Sequence, residues 1–271
     1  MEYGVLGALE VLDERVPVTP TAPKLQSIFA ILLVNHNRTV SRDVMINELW
    51  PSRPPATATM TLNTYVCQLR KLLAQGPSRR TDLVRSRPGG YSVTVEPETL
   101  DLTVFEEALA AGRRELADGR LAEASCELRR ALSLHRGPVL AGLSKGRLLA
   151  GIAARLEEDV LDATTLRIEI DLRLGRHREL VGELRALVTR HPTNEDLHAK
   201  LMVALYRSER RTVALETYQR LRQSLRNQVG IDPSPGLKRL HQDVLQDAPS
   251  LLSPDGVAPA TPALAAAHYR S

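Results

Sequence analysis

Leu62-Asn-Thr-Tyr-Val-Cys-Gln-Leu-Arg-Lys-Leu-Leu73, with Arg87-Pro-Gly-Gly-Tyr91 behind it, is the stretch that decides the fold. Leu62, Val66, Leu69 and Leu73 recur at helical spacing and mark one buried stripe. Pro88-Gly89-Gly90 then separates Leu83-Val84-Arg85 from Tyr91-Ser-Val-Thr-Val95, the signature of a hairpin. Moving toward the N-terminus, Pro54-Pro55 opens this third helix, which runs to about Gly76. A second helix starts at Ser41 as N-cap, buries Val44, Leu49 and Trp50, and stops at Pro51. A first helix carries Leu25, Ile28, Phe29, Leu32 and Leu33 on one face, and residues 2–20 read as short antiparallel strands. Strands, three helices and a hairpin describe a winged helix-turn-helix, whose third helix enters the DNA major groove while the wing touches backbone or minor groove.

The charge distribution agrees. The 271 residues hold 36 Lys and Arg against 32 Asp and Glu, a balance too mild to diagnose anything. Residues 1–97, however, carry 11 basic and 8 acidic side chains, and residues 98–271 carry 25 and 24. Arg70, Lys71, Arg79, Arg80, Arg85 and Arg87 crowd the end of the third helix and the approach to the wing, where phosphate contact needs positive charge. Two cysteines, Cys67 and Cys126, make no disulfide framework and no zinc spacing, and Cys67 is read as a packed thiol. The longest apolar run, Ile28 to Val34, is far short of the roughly 20 residues that span a bilayer. With no signal-peptide layout at the N-terminus, the expected location is the cytoplasm, at the nucleoid. The seven histidines lack metal-ligand spacing, Gly137-x4-Gly142 is followed by no Lys-Ser/Thr, and no Gly-x-Ser-x-Gly occurs. No enzyme, metal or cofactor is expected.

From Asp101 to about Gln246 the period is helical throughout. Helices are predicted to end at Gly119, Gly137-Pro138 and Gly175, and Gly175-Arg-His-Arg-Glu-Leu-Val repeats as Glu209-Arg-Arg-Thr-Val-Ala-Leu, 34 residues later. That offset is the period of tetratricopeptide-like helix pairs. The fold class expected is therefore mainly α with a small β component. It comprises a winged helix-turn-helix over 1–98, an all-α tetratricopeptide-like domain over 99–248, and a disordered tail over 249–271 rich in proline and alanine. The change of pattern at Pro97–Asp101 predicts a separable boundary.

Val40-Ser-Arg-Asp-Val-Met-Ile-Asn-Glu-Leu-Trp50, Pro54-Pro55 and the two segments quoted first resemble the OmpR/PhoB-type winged helix. More narrowly, the chain is similar to the Streptomyces antibiotic regulatory proteins. Asp101-Leu-Thr-Val-Phe105, Leu134-His-Arg-Gly-Pro138, His191-Pro192, Leu201-Met-Val-Ala-Leu-Tyr-Arg207 and Gly230-Ile-Asp-Pro-Ser-Pro235 resemble that family's bacterial transcriptional activation domain. The resemblance covers about residues 1–248. It implies an N-terminal four-stranded sheet and a transcriptional activator that binds direct repeats of double-stranded promoter DNA. It also implies recruitment of RNA polymerase holoenzyme with its sigma factor, self-association at least on DNA, and control of a secondary-metabolite (antibiotic) gene cluster. The chain resembles a small, stand-alone member without a receiver domain.

On the third helix the face opposite the leucine stripe offers Thr57, Thr61, Asn63, Thr64, Gln68 and Lys71. Asn and Gln pair with adenine, and Thr contacts a thymine methyl or donates to a base edge. The OmpR/PhoB-type pattern assigns base reading to Thr61, Asn63, Thr64 and Gln68, and leaves Arg70 and Lys71 for phosphates. Cys67 and Gln68 stand where some relatives carry Arg, so those relatives' base preference does not transfer. In the wing, Arg85 and Arg87 are candidate backbone contacts, Gly89 supplies the tight turn, and Tyr91 packs the wing on the core. The competing class is a scaffold protein whose winged helix makes only protein contacts; salt-sensitive binding to promoter fragments separates the two.

Overall fold

The computed structural model describes residues 1–79 and 82–253, and these divide into two compact units. The first is Met1–Asp118 with Cys126–Thr164, and the second is Gly119–Ser125 with the chain from Thr165 onward. The helices Leu121–Ser133 and Arg147–Arg173 each contribute to both.

The first unit opens with β1 (Glu2–Gly4), β2 (Glu10–Asp13) and β3 (Val16–Pro17), an antiparallel sheet in that order, with Tyr3 opposite Val11 and Leu12 opposite Pro17. Three strands stand here where the resemblance implies four. Helix α1 (Pro23–Val34) takes Pro23 in its first turn, where no hydrogen bond is lost. All residues from Ser27 to Leu33 are buried, so α1 is the central element rather than an amphipathic cover. Next come β4 (Val40–Ser41), α2 (Arg42–Leu49), α3 (Ala58–Leu73), β5 (Val84–Arg87) and β6 (Gly90–Val93). The Ser41 hydroxyl accepts from the Val44 N–H at 3.3 Å, the expected N-cap. Leu62, Val66, Leu69 and Leu73 are buried as their spacing predicts. Three expectations fail here. Val44 is exposed, Trp50 is half-buried at the end of α2 rather than in the core, and α3 begins at Ala58, because Pro54-Pro55 precede the helix instead of opening it.

The second sheet runs β4-β6-β5, so the wing hairpin is anchored by a strand that precedes α2. Arg87 pairs with Gly90 and Ser41 also lies opposite Gly90. A Cβ on Gly90 would sit 2.0 Å from the Val40 carbonyl oxygen, so only glycine admits this approach. Gly89 needs glycine for a different reason, its φ of +78°.

Helix α4 (Asp101–Ala117) begins with a carboxylate that faces backward into the first sheet. Asp101 accepts the backbone N–H groups of Val5 at 2.9 Å and Leu6 at 3.0 Å, and the Arg136 guanidinium at 3.1 Å. Burial raises its pKa above the ordinary value, against those N–H donors and the Arg136 charge. The helices α5 (Leu121–Ser133) and α6 (Arg147–Arg173) follow. The first turn of α6 is capped from a hundred residues away: Glu48 of α2, buried, accepts from Leu148 N–H at 2.8 Å and Leu149 N–H at 3.1 Å.

The second unit contains α7 (His177–Arg190), α8 (Glu195–Arg207), α9 (Arg211–Gln228) and α10 (Pro235–Leu245). The helix pairs start 34 residues apart, at His177 and Arg211, as the sequence offset predicts. Asp171 is fully buried and accepts from Arg167 at 2.9 Å, Arg176 at 2.9 Å and the Ser125 hydroxyl at 2.7 Å. Pro249–Leu252, assigned from sequence to the tail, forms a 3-10 turn with Leu251 buried and its carbonyl bonded to Arg207 Nε at 2.8 Å. The rest of the expected tail, 254–271, lies outside the described residues, as do Arg80 and Thr81.

Candidate nucleic-acid interface

Burial of the Leu62–Leu73 stripe fixes which side of α3 faces outward. Thr57, Met60, Thr64, Cys67, Gln68 and Lys71 are exposed along that side. Cys67 is thus not the packed thiol the sequence suggested; it lies one helical turn from Thr64 and Lys71. Thr57 is the residue before the first turn, and its carbonyl accepts from Thr61 N–H at 2.9 Å. The Thr64 hydroxyl donates to the Met60 carbonyl at 3.1 Å, which leaves its oxygen as an acceptor and its methyl for apolar contact. Thr61 is half-buried on the flank toward α2, beside Tyr65, whose ring stacks on Trp50 at 6.4 Å.

The other flank of α3 faces the wing. Asn63 is exposed, and its Oδ1 accepts from the Tyr91 hydroxyl at 2.6 Å. Arg70 is engaged differently from its expected phosphate role. Its Nε donates to the Val84 carbonyl at 2.8 Å and its Nη2 to the Ser86 hydroxyl at 3.0 Å. These bonds clamp the last turn of α3 to β5, so among the described basic residues of α3 it is Lys71 that presents an unclamped charge outward.

In the wing, Arg85 pairs with Asp82 at 3.2 Å with both side chains at least half exposed, a pair of small worth that a phosphate can displace. Arg87 Nε donates to the Ser92 hydroxyl at 3.3 Å and the residue is exposed. Gly89 sits at the tip with open space around its Cα, and its carbonyl accepts from Arg42 N–H at 3.0 Å. Arg42 was not singled out by the sequence. Its guanidinium lies 5.6 Å from the centre of the Tyr91 ring, a cation over a π face. Only the pairing of β4 with β6 brings it there, and two residues of strand carry no readable period. Among the described residues no three His, Cys, Asp or Glu side chains are placed to hold a metal ion. None of the described helices is long and apolar enough to cross a membrane.

A polar, basic helix face flanked by a basic hairpin, followed in the chain by paired helices, defines a winged-helix transcription regulator. The pattern of the bacterial transcriptional activator domain matches residues 100–245, and that of the C-terminal domain of transcriptional regulatory proteins matches residues 15–93. The chain is 38% identical over 272 residues to the regulatory protein DnrI of Streptomyces peucetius, covering 98% of both chains. It is 35% identical to the transcriptional regulatory protein EmbR of Mycobacterium tuberculosis and 36% identical to the regulatory protein AfsR of Streptomyces coelicolor. These matches cover 92% and 93% of this chain but only 64% and 25% of those proteins. The structure of Mycobacterium tuberculosis EmbR in complex with a low-affinity phosphopeptide superposes with a TM-score of 0.84 at 35% identity, covering 92% of this chain and 65% of that one. The chain belongs to the Streptomyces antibiotic regulatory protein family, with an OmpR/PhoB-type DNA-binding domain and a bacterial transcriptional activator domain. Its relatives are transcriptional regulators, not enzymes.

Proposed function

We propose that this protein activates transcription by binding direct repeats upstream of a promoter and recruiting RNA polymerase holoenzyme, sigma factor included. Its target is a secondary-metabolite gene cluster, which places it in the cytoplasm at the nucleoid. The observation that carries the DNA-reading part is the outward row of Thr57, Thr64, Gln68 and Lys71 on α3, with Asn63 toward the wing. Side chains of this kind pair with base edges, while Lys71, Arg85 and Arg87 supply the sequence-independent attraction to phosphate. One winged helix buries a small interface, so two protomers on tandem repeats about 10–10.5 bp apart give the affinity an operator needs. Similarity to DnrI over nearly the whole of both chains supports the antibiotic-pathway reading.

Footprinting on the DNA upstream of neighbouring genes tests it. Protected tandem repeats are expected, with cooperativity lost when about 5 bp, half a helical turn, is inserted between them. Lys71→Ala should lower the salt dependence of binding by about one unit of slope without changing the consensus. In reconstituted transcription the full chain should raise initiation from that promoter. Salt-independent binding, or cooperativity undiminished by the spacer, would overturn the arrangement.

A further inference from the structure

Asn63 is the candidate base reader on the wing flank of α3, and its side chain is held by the wing. Its carbonyl oxygen accepts from the Tyr91 hydroxyl at 2.6 Å across 28 residues of chain. Tyr91 is itself fixed. It is buried to 4% exposure, its backbone is paired with Val40 on one side and Ser86 on the other, and the Arg42 guanidinium covers its ring. An asparagine side chain left alone on a helix surface samples several rotamers, and so meets a base edge in no fixed place. Here one edge of the amide is tied toward β6, which fixes where the side chain stands for whatever approaches α3.

We infer that Tyr91 is a specificity-positioning residue, which holds the Asn63 amide in one place on the reading side of α3. In the major groove its partner is a base edge that meets the amide in that fixed position. This rests on the DNA-reading function proposed above.

Tyr91→Phe keeps the ring, its packing and the Arg42 contact, and removes only the hydroxyl. Asn63→Ala removes the reader, and the double variant closes the cycle. Each full-length variant and the unaltered chain would be taken through binding-site selection on a randomised duplex library, with affinity for mixed-sequence duplex DNA and thermal melting measured alongside. The unaltered chain should select one base at the position Asn63 reads. Tyr91→Phe should relax that position alone, by roughly fivefold, the lower end of the range for one weakened base contact. Asn63→Ala should relax the same position, and Tyr91→Phe should add nothing in the Asn63→Ala background. A Tyr91→Phe consensus identical to that of the unaltered chain would overturn the inference. So would a loss of affinity that is equal for all sequences, which is the mark of a packing role. An unaltered chain that selects no consensus at all would sink the DNA-reading function itself, and the inference with it.

Discussion

Arg70 and Lys71 are neighbours in sequence with opposite fates, because a helix turns consecutive side chains about 100° apart. Arg70 reaches β5, where the Val84 carbonyl and the Ser86 hydroxyl accept its two donors. Arg70→Ala should therefore cost about 1–3 kcal/mol of stability, since the carbonyl of buried Val84 loses its partner. Urea denaturation checks this; an unchanged midpoint would mean the clamp contributes nothing. A second residue-scale expectation concerns acid. Burial lowers the pKa of His198, and the nearby Arg220 charge pushes the same way, against the Asn194 carbonyl it bonds at 2.9 Å and the Glu195 charge. The unfolded chain takes up the proton near pH 6.5 and the folded chain only at lower pH. Stability must then fall as pH drops below about 6.5 and level off below the folded value. His177 and His241 are shifted down likewise by burial, so the effect accumulates. The slope of unfolding free energy against pH between 7 and 5 should be shallower in His198→Gln (about the range where histidine titrates). An unaltered slope would remove His198 from the account.

The two helix pairs of the second unit join their preceding helices through equivalent residues. Gly175 has φ +77° and Glu209, 34 positions on, has φ +64°. Both follow a helix end in the left-handed region, where a side chain costs about 1 kcal/mol and glycine costs nothing. One repeat therefore carries the favoured residue and the other does not. Glu209→Gly should stabilise the protein by up to about 1 kcal/mol, and Gly175→Ala should destabilise it by a similar amount. Thermal melting of both variants measures the pair, and a destabilised Glu209→Gly would show that the glutamate side chain outweighs its backbone strain.

The 98-residue cut suggested by the change of period falls inside the first compact unit, which extends through Asp118 and resumes over Cys126–Thr164. A fragment 1–98 lacks Asp101, so the N–H groups of Val5 and Leu6 lose their acceptor. The carbonyls of Val5, Leu6 and Gly7 lose the N–H groups of Leu140, Arg136 and Ala141, and buried Glu48 loses the α6 terminus. Each such group left buried without a partner costs about 1–3 kcal/mol, a large share of a small domain's total stability. Circular dichroism should show the fragment melting far below the full chain and binding DNA weakly in proportion. A fragment as stable as the full chain would make the boundary separable after all.

Apolar spacing places α1 and the body of α3, marks which face of α3 is buried, and signals the helices that follow Asp101. The Pro-Gly-Gly turn likewise located the wing. These are local properties: a helix repeats every 3.6 residues and a turn needs glycine at a positive φ, so both are written in neighbouring residues. The outward placement of Thr57, Thr64, Gln68 and Lys71 followed from the buried stripe alone. Only the tertiary structure decided that Arg70 clamps the wing, that Tyr91 holds Asn63, that Arg42 covers Tyr91, and that Glu48 caps α6. Those partners lie between 14 and 100 residues apart. A polar side chain's partner is set by which elements pack together, and that packing comes from the summed burial of many apolar residues. No spacing in the sequence records it.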